Sequence, residues 1–310
     1  MGTYKNTIRI MLFNQTYYIL EESMWKTVAA VLGLLLVGLF IFIWLRSIQF
    51  AEMFSLEATQ MLADANITDD SIVEEEELEG LPEPVRRYFQ YTGIVGKKRI
   101  FFMRLKHKGT LRIAPDKKAL AIEGTQYFTA DPPALLWNGR VKPTFLMSVS
   151  ARDKYMGGKG NMLIKLMSAF TIADAKGPEL DEGALQRFLA ECTWFPTALL
   201  PSRNLRWEAI DRQSALAILE DRGVTAEVTF YFKDTGEITR CSCQRYYALE
   251  GGAGFEKHRW SGYLRNYKEI HGIRIPTDIE AVWHFDSGDY RYAHFLLETA
   301  DYNVYEPYAD

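Results

Sequence analysis

Asp153, Asp174 and Glu191 stand with Arg152 and Arg187 close in sequence. Carboxylates beside a cation are the equipment of general acid–base chemistry, with Asp153 or Glu191 as the base and an arginine as its partner. The same residue types also make structural ion pairs, the commoner use of a buried carboxylate beside an arginine. Other chemistries have less support. The five histidines never occur at H-E-x-x-H or H-x-H spacing. His258, His284 and His294 fall on successive extended segments and could meet there as zinc ligands do, but scattered strand histidines ordinarily serve the surface or a hydrogen bond, so no metal site is assigned. No G-x-S-x-G elbow is present, and Ser261, near His258, lies on a strand. Gly157-Gly158-Lys159-Gly160 lacks the G-x-x-x-x-G-K-[ST] spacing of a phosphate loop and reads as a hairpin turn. Nothing calls for a cofactor.

Aromatic residues offer a different use. Trp137, Trp194, Phe195 and Trp260 could line a pocket, together with Leu199, Leu200 and the sheet residue Phe230; each alone is equally at home in an ordinary core. Three cysteines, Cys192, Cys241 and Cys243, are too few and odd in number for a fully paired disulfide framework and read as buried thiols. The formal charge of −4 and pI near 5.9 argue against a nucleic-acid partner.

These residues must be held by the elements around them. Thr27 to Leu45 is an uncharged apolar run of 19 residues, long enough to cross a hydrocarbon core of about 30 Å. Trp25 and Trp44 flank it as interfacial aromatics do, and no A-x-A site follows. The expected organisation is a short N-terminal segment (1–23) given no fold, a transmembrane helix (24–46), a helical stalk with an acidic linker (47–80), a β-domain (81–304) and a tail (305–310). Met24-Trp25-Lys26 would make a natural start. The positive-inside rule favours an extracytoplasmic β-domain. In the linker, Asp69-Asp70 and Glu74 to Glu77 form a like-charge block expected to be solvated.

Leu81 to Gly93 reads as a helix with proline in its first turn and Gly93 at its end. From Arg99 the hydrophobic period becomes two. About ten strands are expected, over 100–113, 120–127, 135–141, 145–155, 161–170, 224–232, 238–247, 258–267, 273–285 and 290–299. A 14% aromatic content suits pleated surfaces. One amphipathic helix, Asp181 to Cys192, interrupts the strands. The fold class is therefore mainly β: a transmembrane helix followed by a strongly curved antiparallel sheet with a few covering helices. An apolar cavity is expected between sheet and helices.

Four stretches resemble a family of bacterial membrane-anchored proteins catalogued as a domain of unknown function. They are Leu81-Pro-x-Pro-Val-Arg-Arg-Tyr88, Asp131-Pro-Pro-Ala-Leu-Leu-Trp137, Asp153-x-Tyr-x-Gly-Gly-x-Gly160 and Arg187-Phe-Leu-Ala-Glu-x-x-Trp-Phe-Pro-Thr-Ala-Leu-Leu-Pro201. That resemblance brings no activity with it. Tyr267-x-x-x-x-Gly272-Ile-x-Ile-Pro276 is similar to a hairpin in the half-barrels of periplasmic lipoprotein carriers, which implies an apolar ligand. The leading expectation is a single-pass membrane protein whose β-domain binds an apolar or lipid-like small molecule without catalysis. Two alternatives stand beside it: an enzyme acting on a lipid or envelope substrate through the carboxylate/arginine set, and an interaction domain at the membrane surface.

Overall fold

The structure, a computed structural model, describes residues 2–67, 71–144, 147–249 and 254–308, with side chains at 21 and from 23 onward. Helix α1 runs without a break over Gly2–Ala63, through the N-terminal segment to which the sequence gives no fold. Its part from Ser23 is long and apolar enough to span a membrane. The chain divides into two compact units, residues 1–50 and 51–310.

In the second unit the period-two pattern resolves into thirteen strands of one antiparallel sheet. They are β1 (Phe102–Leu111), β2 (Leu120–Thr129), β3 (Ala134–Thr144), β4 (Met147–Met156), β5 (Lys159–Leu166), β6 (Phe170–Lys176), β7 (Leu205–Asp211), β8 (Ser214–Asp221), β9 (Val224–Phe232), β10 (Ile238–Ala248), β11 (Phe255–Ile270), β12 (Ile273–Phe285) and β13 (Gly288–Tyr302). The first six meander outward from β1, the last seven return from β7 to β13, and β1 pairs with β13 to join the halves. The edges are thus β6 and β7, and α3 (Pro178–Glu191) connects them.

Curvature follows from that connection. α3 packs on β5 and β9, strands far apart in the sheet order, and a sheet reaches one helix with both only by curling around it. Tyr155 Oη donates to Asp221 Oδ2 at 2.8 Å, tying β4 to β8 across the hollow. Gly160 lets α3 approach β5 closely: a Cβ there would lie 2.3 Å from the Leu180 carbonyl oxygen. The concave side is further filled by α2 (Glu83–Thr92), through Val85, Tyr88 and Phe89, and by the turns over Cys192–Trp194 and Pro196–Leu199. Pro84 occupies the first turn of α2, and Gly93 ends it with a φ of 73°.

Three strands exceed the expected ten. β6 and β7 are edges exposed along most of their length, and Ala215-Leu-Ala-Ile-Leu219 of β8 is a short apolar run without alternation. In the acidic stretch Glu74, Glu75, Glu76 and Glu79 are exposed, as expected of a solvated block, but the segment is held to the unit rather than being a free linker. Glu75–Leu78 is a short 3-10 turn, Val73 and Leu78 beside it are buried, and Glu77 pairs with Arg99. The apolar neighbours anchor the glutamates to the unit. Residues 51–63 of α1 likewise lie on the convex face, where Phe54, Ala58 and Met61 cover Phe102, Tyr127 and Leu136. Asp69-Asp70 and the expected strand start at Phe145 lie outside the described residues.

Candidate functional site

Alternation along the strands decides which side chains enter the hollow. Trp137 and Asp153 are register partners of β3 and β4, and Met162 of β5 is opposite Asp153, so all three face inward. From the other half, Cys241, Gly262 and Ala281 form an inward row across β10, β11 and β12. α3 supplies Arg187, Ala190 and Glu191 over them. Between these walls lies a cavity of about 220 Å³. Its walls are mostly apolar, with Leu111, Ile164, Trp260, Leu264, Ile279 and Phe295 among them. A second compartment of about 180 Å³ shares Asp153, Met162, Arg245 and Tyr292 with it and continues to Phe255 and Trp283.

Each half of the hollow is built on a tryptophan two residues before a glycine. Trp137 lies over Gly139, where a Cβ would fall 2.2 Å from the indole. Trp260 leans over Gly262, where a Cβ would meet its ring at 3.2 Å and Cys241 Sγ at 2.9 Å. Without those Cβ atoms the indoles lie along the sheet and present their faces to the hollow. An arginine stands over each: Arg187 at 5.1 Å from the Trp137 ring and Arg245 at 5.4 Å from that of Trp260.

Trp137 Nε1 donates to His107 Nε2 at 2.8 Å, past Gly124, whose absent Cβ would lie 2.4 Å from that nitrogen. His107 is buried, and burial, with the nearby Arg187 charge, pushes its pKa from 6.5 down to about 3. It stays neutral at ordinary pH, with its proton on Nδ1, since Nε2 accepts.

Arg187 joins the candidate carboxylates. Its Nη1 donates to Asp153 Oδ2 at 2.6 Å and its Nε to Glu191 Oε1 at 2.9 Å, while Gln126 Nε2 donates to Glu191 Oε2 at 2.6 Å. Burial works against the guanidinium charge, but Glu191 and Asp153 outweigh it and raise the Arg187 pKa. The carboxylates therefore meet at one cavity wall, held by one cation. Arg152 does not join them: as Asp153's neighbour on a strand it points to the convex face, where Glu57 Oε2 lies 3.2 Å away. Asp174, on edge strand β6, accepts from Asn161 and Lys176.

Of the expected lining residues, Trp137 and Trp260 border the cavity. Leu200 borders a separate hollow of about 170 Å³ beside Arg99–Phe101 and Ser202–Leu205. Trp194, Phe195, Leu199 and Phe230 border neither; they are closed into the core, because the turns at 192–199 are pressed between α3, α2 and the sheet. Trp194 Nε1 donates to the Pro276 carbonyl there. Cys192, Cys241 and Cys243 are free and buried, and burial raises the Cys241 thiol to about 12. The histidines go separate ways: His294 to Asp278, His258 near Glu256, and His284 to Asp289 and Ser261. No group of three metal-ligating side chains gathers among the described residues.

The row Ser261–His284–Asp289, with contacts of 3.0 and 2.6 Å, was not legible without the β11–β12–β13 register. It resembles a hydrolytic triad in connectivity only. Ser261 is 1% exposed, on the middle of a strand, and lies within hydrogen-bond distance of Ser242 Oγ. A nucleophile must reach its substrate, so this row is a polar tie on the convex face.

Fold and cavity together define a curved antiparallel half-barrel with an apolar hollow under a crossing helix. By sequence the chain belongs to a family of unknown function, DUF6544, whose profile matches residues 71–295. No curated protein matches it. Among solved structures, the LolA superfamily protein NE2245 from Nitrosomonas europaea is 11% identical with a TM-score of 0.35, covering 75% of this chain and 94% of its own. A β-barrel-like DUF1849 protein from Brucella abortus is 10% identical with a TM-score of 0.24, covering 66% and 99%.

Proposed function

We propose that this chain is a single-pass membrane protein whose β-unit, on the extracytoplasmic side, binds an apolar or lipid-like ligand without transforming it. The observation that carries this reading is the cavity of about 220 Å³ between α3 and the concave face, with indole faces and aliphatic side chains on its walls. A non-catalytic role rests on the use made of the acids. Both oxygens of Glu191 are engaged, and Asp153 Oδ2 is bonded to the same arginine, so neither acid is poised as a free base. An anchored domain of this kind handles lipid beside its own bilayer.

Native mass spectrometry of the full chain released from nanodiscs tests the reading. A retained small amphiphile, lost in an Ala281→Phe variant that fills the cavity, is the expected result; an unliganded mass alone counts against it. A second reading draws on the convergence of Asp153 and Glu191 at the cavity wall. An enzyme would turn over envelope lipids in a way that Asp153→Asn abolishes, whereas a binding domain leaves them unchanged.

A further inference from the structure

The two tryptophan–arginine stacks differ in one respect. Arg187, over Trp137, is bonded to Asp153 and Glu191. Arg245, over Trp260, has no hydrogen-bond or ion-pair partner among the described residues. It also stands where the two compartments of the hollow join, since it borders both. It packs beside Gly183 of α3, where a Cβ would be in ordinary contact, 3.5 Å from Arg245 Nε.

Arg245 is half-buried at the edge of the hollow, and stacking on an indole compensates its charge only in part. Stacking also leaves the edge of the fork unused, and that edge matches the two oxygens of a planar or tetrahedral acid. The cavity beside it is apolar and larger than the roughly 150 Å³ that accommodates one benzene, a size for a single chain. From this juxtaposition we propose that the ligand is a single-chain anionic amphiphile, with its acid group on Arg245 and its chain in the cavity bordered by Trp260, Leu264 and Ile279. This rests on the binding reading above and adds the head-group chemistry. A free carboxylic acid and a phosphate monoester share that chemistry.

The test uses the full chain in nanodiscs, titrated with octanoate, octyl phosphate and 1-octanol and followed by tryptophan fluorescence. Empty nanodiscs and Ala281→Phe correct for partition into the bilayer. One of the acids binds about tenfold or more tightly than the alcohol, as a charge-assisted contact provides. Arg245→Met removes that preference, bringing the acids to the affinity that the same variant shows for 1-octanol, and Arg245→Lys keeps part of it. Whichever acid is preferred distinguishes a carboxylate from a phosphate source. Equal binding of acids and alcohol by the unsubstituted chain, or a preference that survives Arg245→Met, overturns the proposal while leaving the binding reading intact. Failure of all three probes to bind overturns both.

Discussion

Arg187 Nη1 lies 2.6 Å from Asp153 Oδ2, so that a single guanidinium fastens α3 to β4 at the wall of the cavity while also holding Glu191 one turn further on. The side chains of all three are largely buried. Removing the cation leaves two like charges facing each other away from water. Arg187→Met is therefore expected to destabilise the β-unit by about 3–5 kcal/mol, measured by denaturant unfolding. Adding Asp153→Asn and Glu191→Gln to that variant should recover most of the loss. A single variant within ~1 kcal/mol of the parent contradicts this account.

His107 makes stability depend on acid in a calculable direction. Its pKa is about 3 in the folded chain against 6.5 for the ordinary side chain. Between those values the unfolded chain binds a proton that the folded chain refuses, so this contribution is complete above pH 6.5 and is lost as pH falls toward 3. The slope is about 1.4 kcal/mol per pH unit for one proton. His107→Gln keeps an acceptor for Trp137 Nε1 and has no proton to gain. The difference in unfolding free energy between parent and variant should shrink in the parent's disfavour as pH drops from 7 to 4; a difference independent of pH counts against a buried neutral histidine.

Gly139 lies inside strand β3, and its role is space. A methyl at 139 meets the Trp137 ring at 2.2 Å, backed by Gly124 and His107 beneath. Gly139→Ala must move the indole, at a cost of about 1–3 kcal/mol. The near-ultraviolet circular dichroism of the tryptophans should change with it. An unaltered spectrum and midpoint would show that the indole does not lie along the sheet.

On the convex face, Glu57 receives Lys154 Nζ at 2.6 Å and lies 3.2 Å from the buried Arg152 Nε. Glu57→Ala leaves the Arg152 charge without its carboxylate. We expect faster amide exchange across residues 51–63 and a loss of about 2 kcal/mol or more. Unchanged exchange there would mean that Phe54, Ala58 and Met61 hold the segment unaided.

Much of this architecture is legible in residue order. The apolar run at 27–45, the strict alternation of Val224–Phe232 and the Pro84/Gly93 helix boundaries are local signals, and each sits where its period or cap puts it. β7 and β8 are not legible, because an exposed edge strand and a doubly covered one both lose the alternation that marks a strand. The site divides along the same line. Asp153, Arg187 and Glu191 are near enough in type and order to be paired on paper, whereas Arg152 is excluded only by the face on which its strand sets it. The Trp-x-Gly pairs at 137–139 and 260–262 are visible in the chain, but their meaning depends on rows formed across β1 to β4 and β10 to β12. Trp194 and Phe195 look equally suited to a pocket; packing against α3 and the sheet closes them into the core.

The central claim is that the hollow beneath α3 receives an apolar chain, and titration of the full chain in nanodiscs with 1-octanol, read by tryptophan fluorescence against Ala281→Phe, tests it most directly. Saturable binding that the substitution abolishes, with the thermal midpoint kept or raised, is the result predicted. A response no different from that of empty nanodiscs, or one equal in the parent and Ala281→Phe, would contradict it.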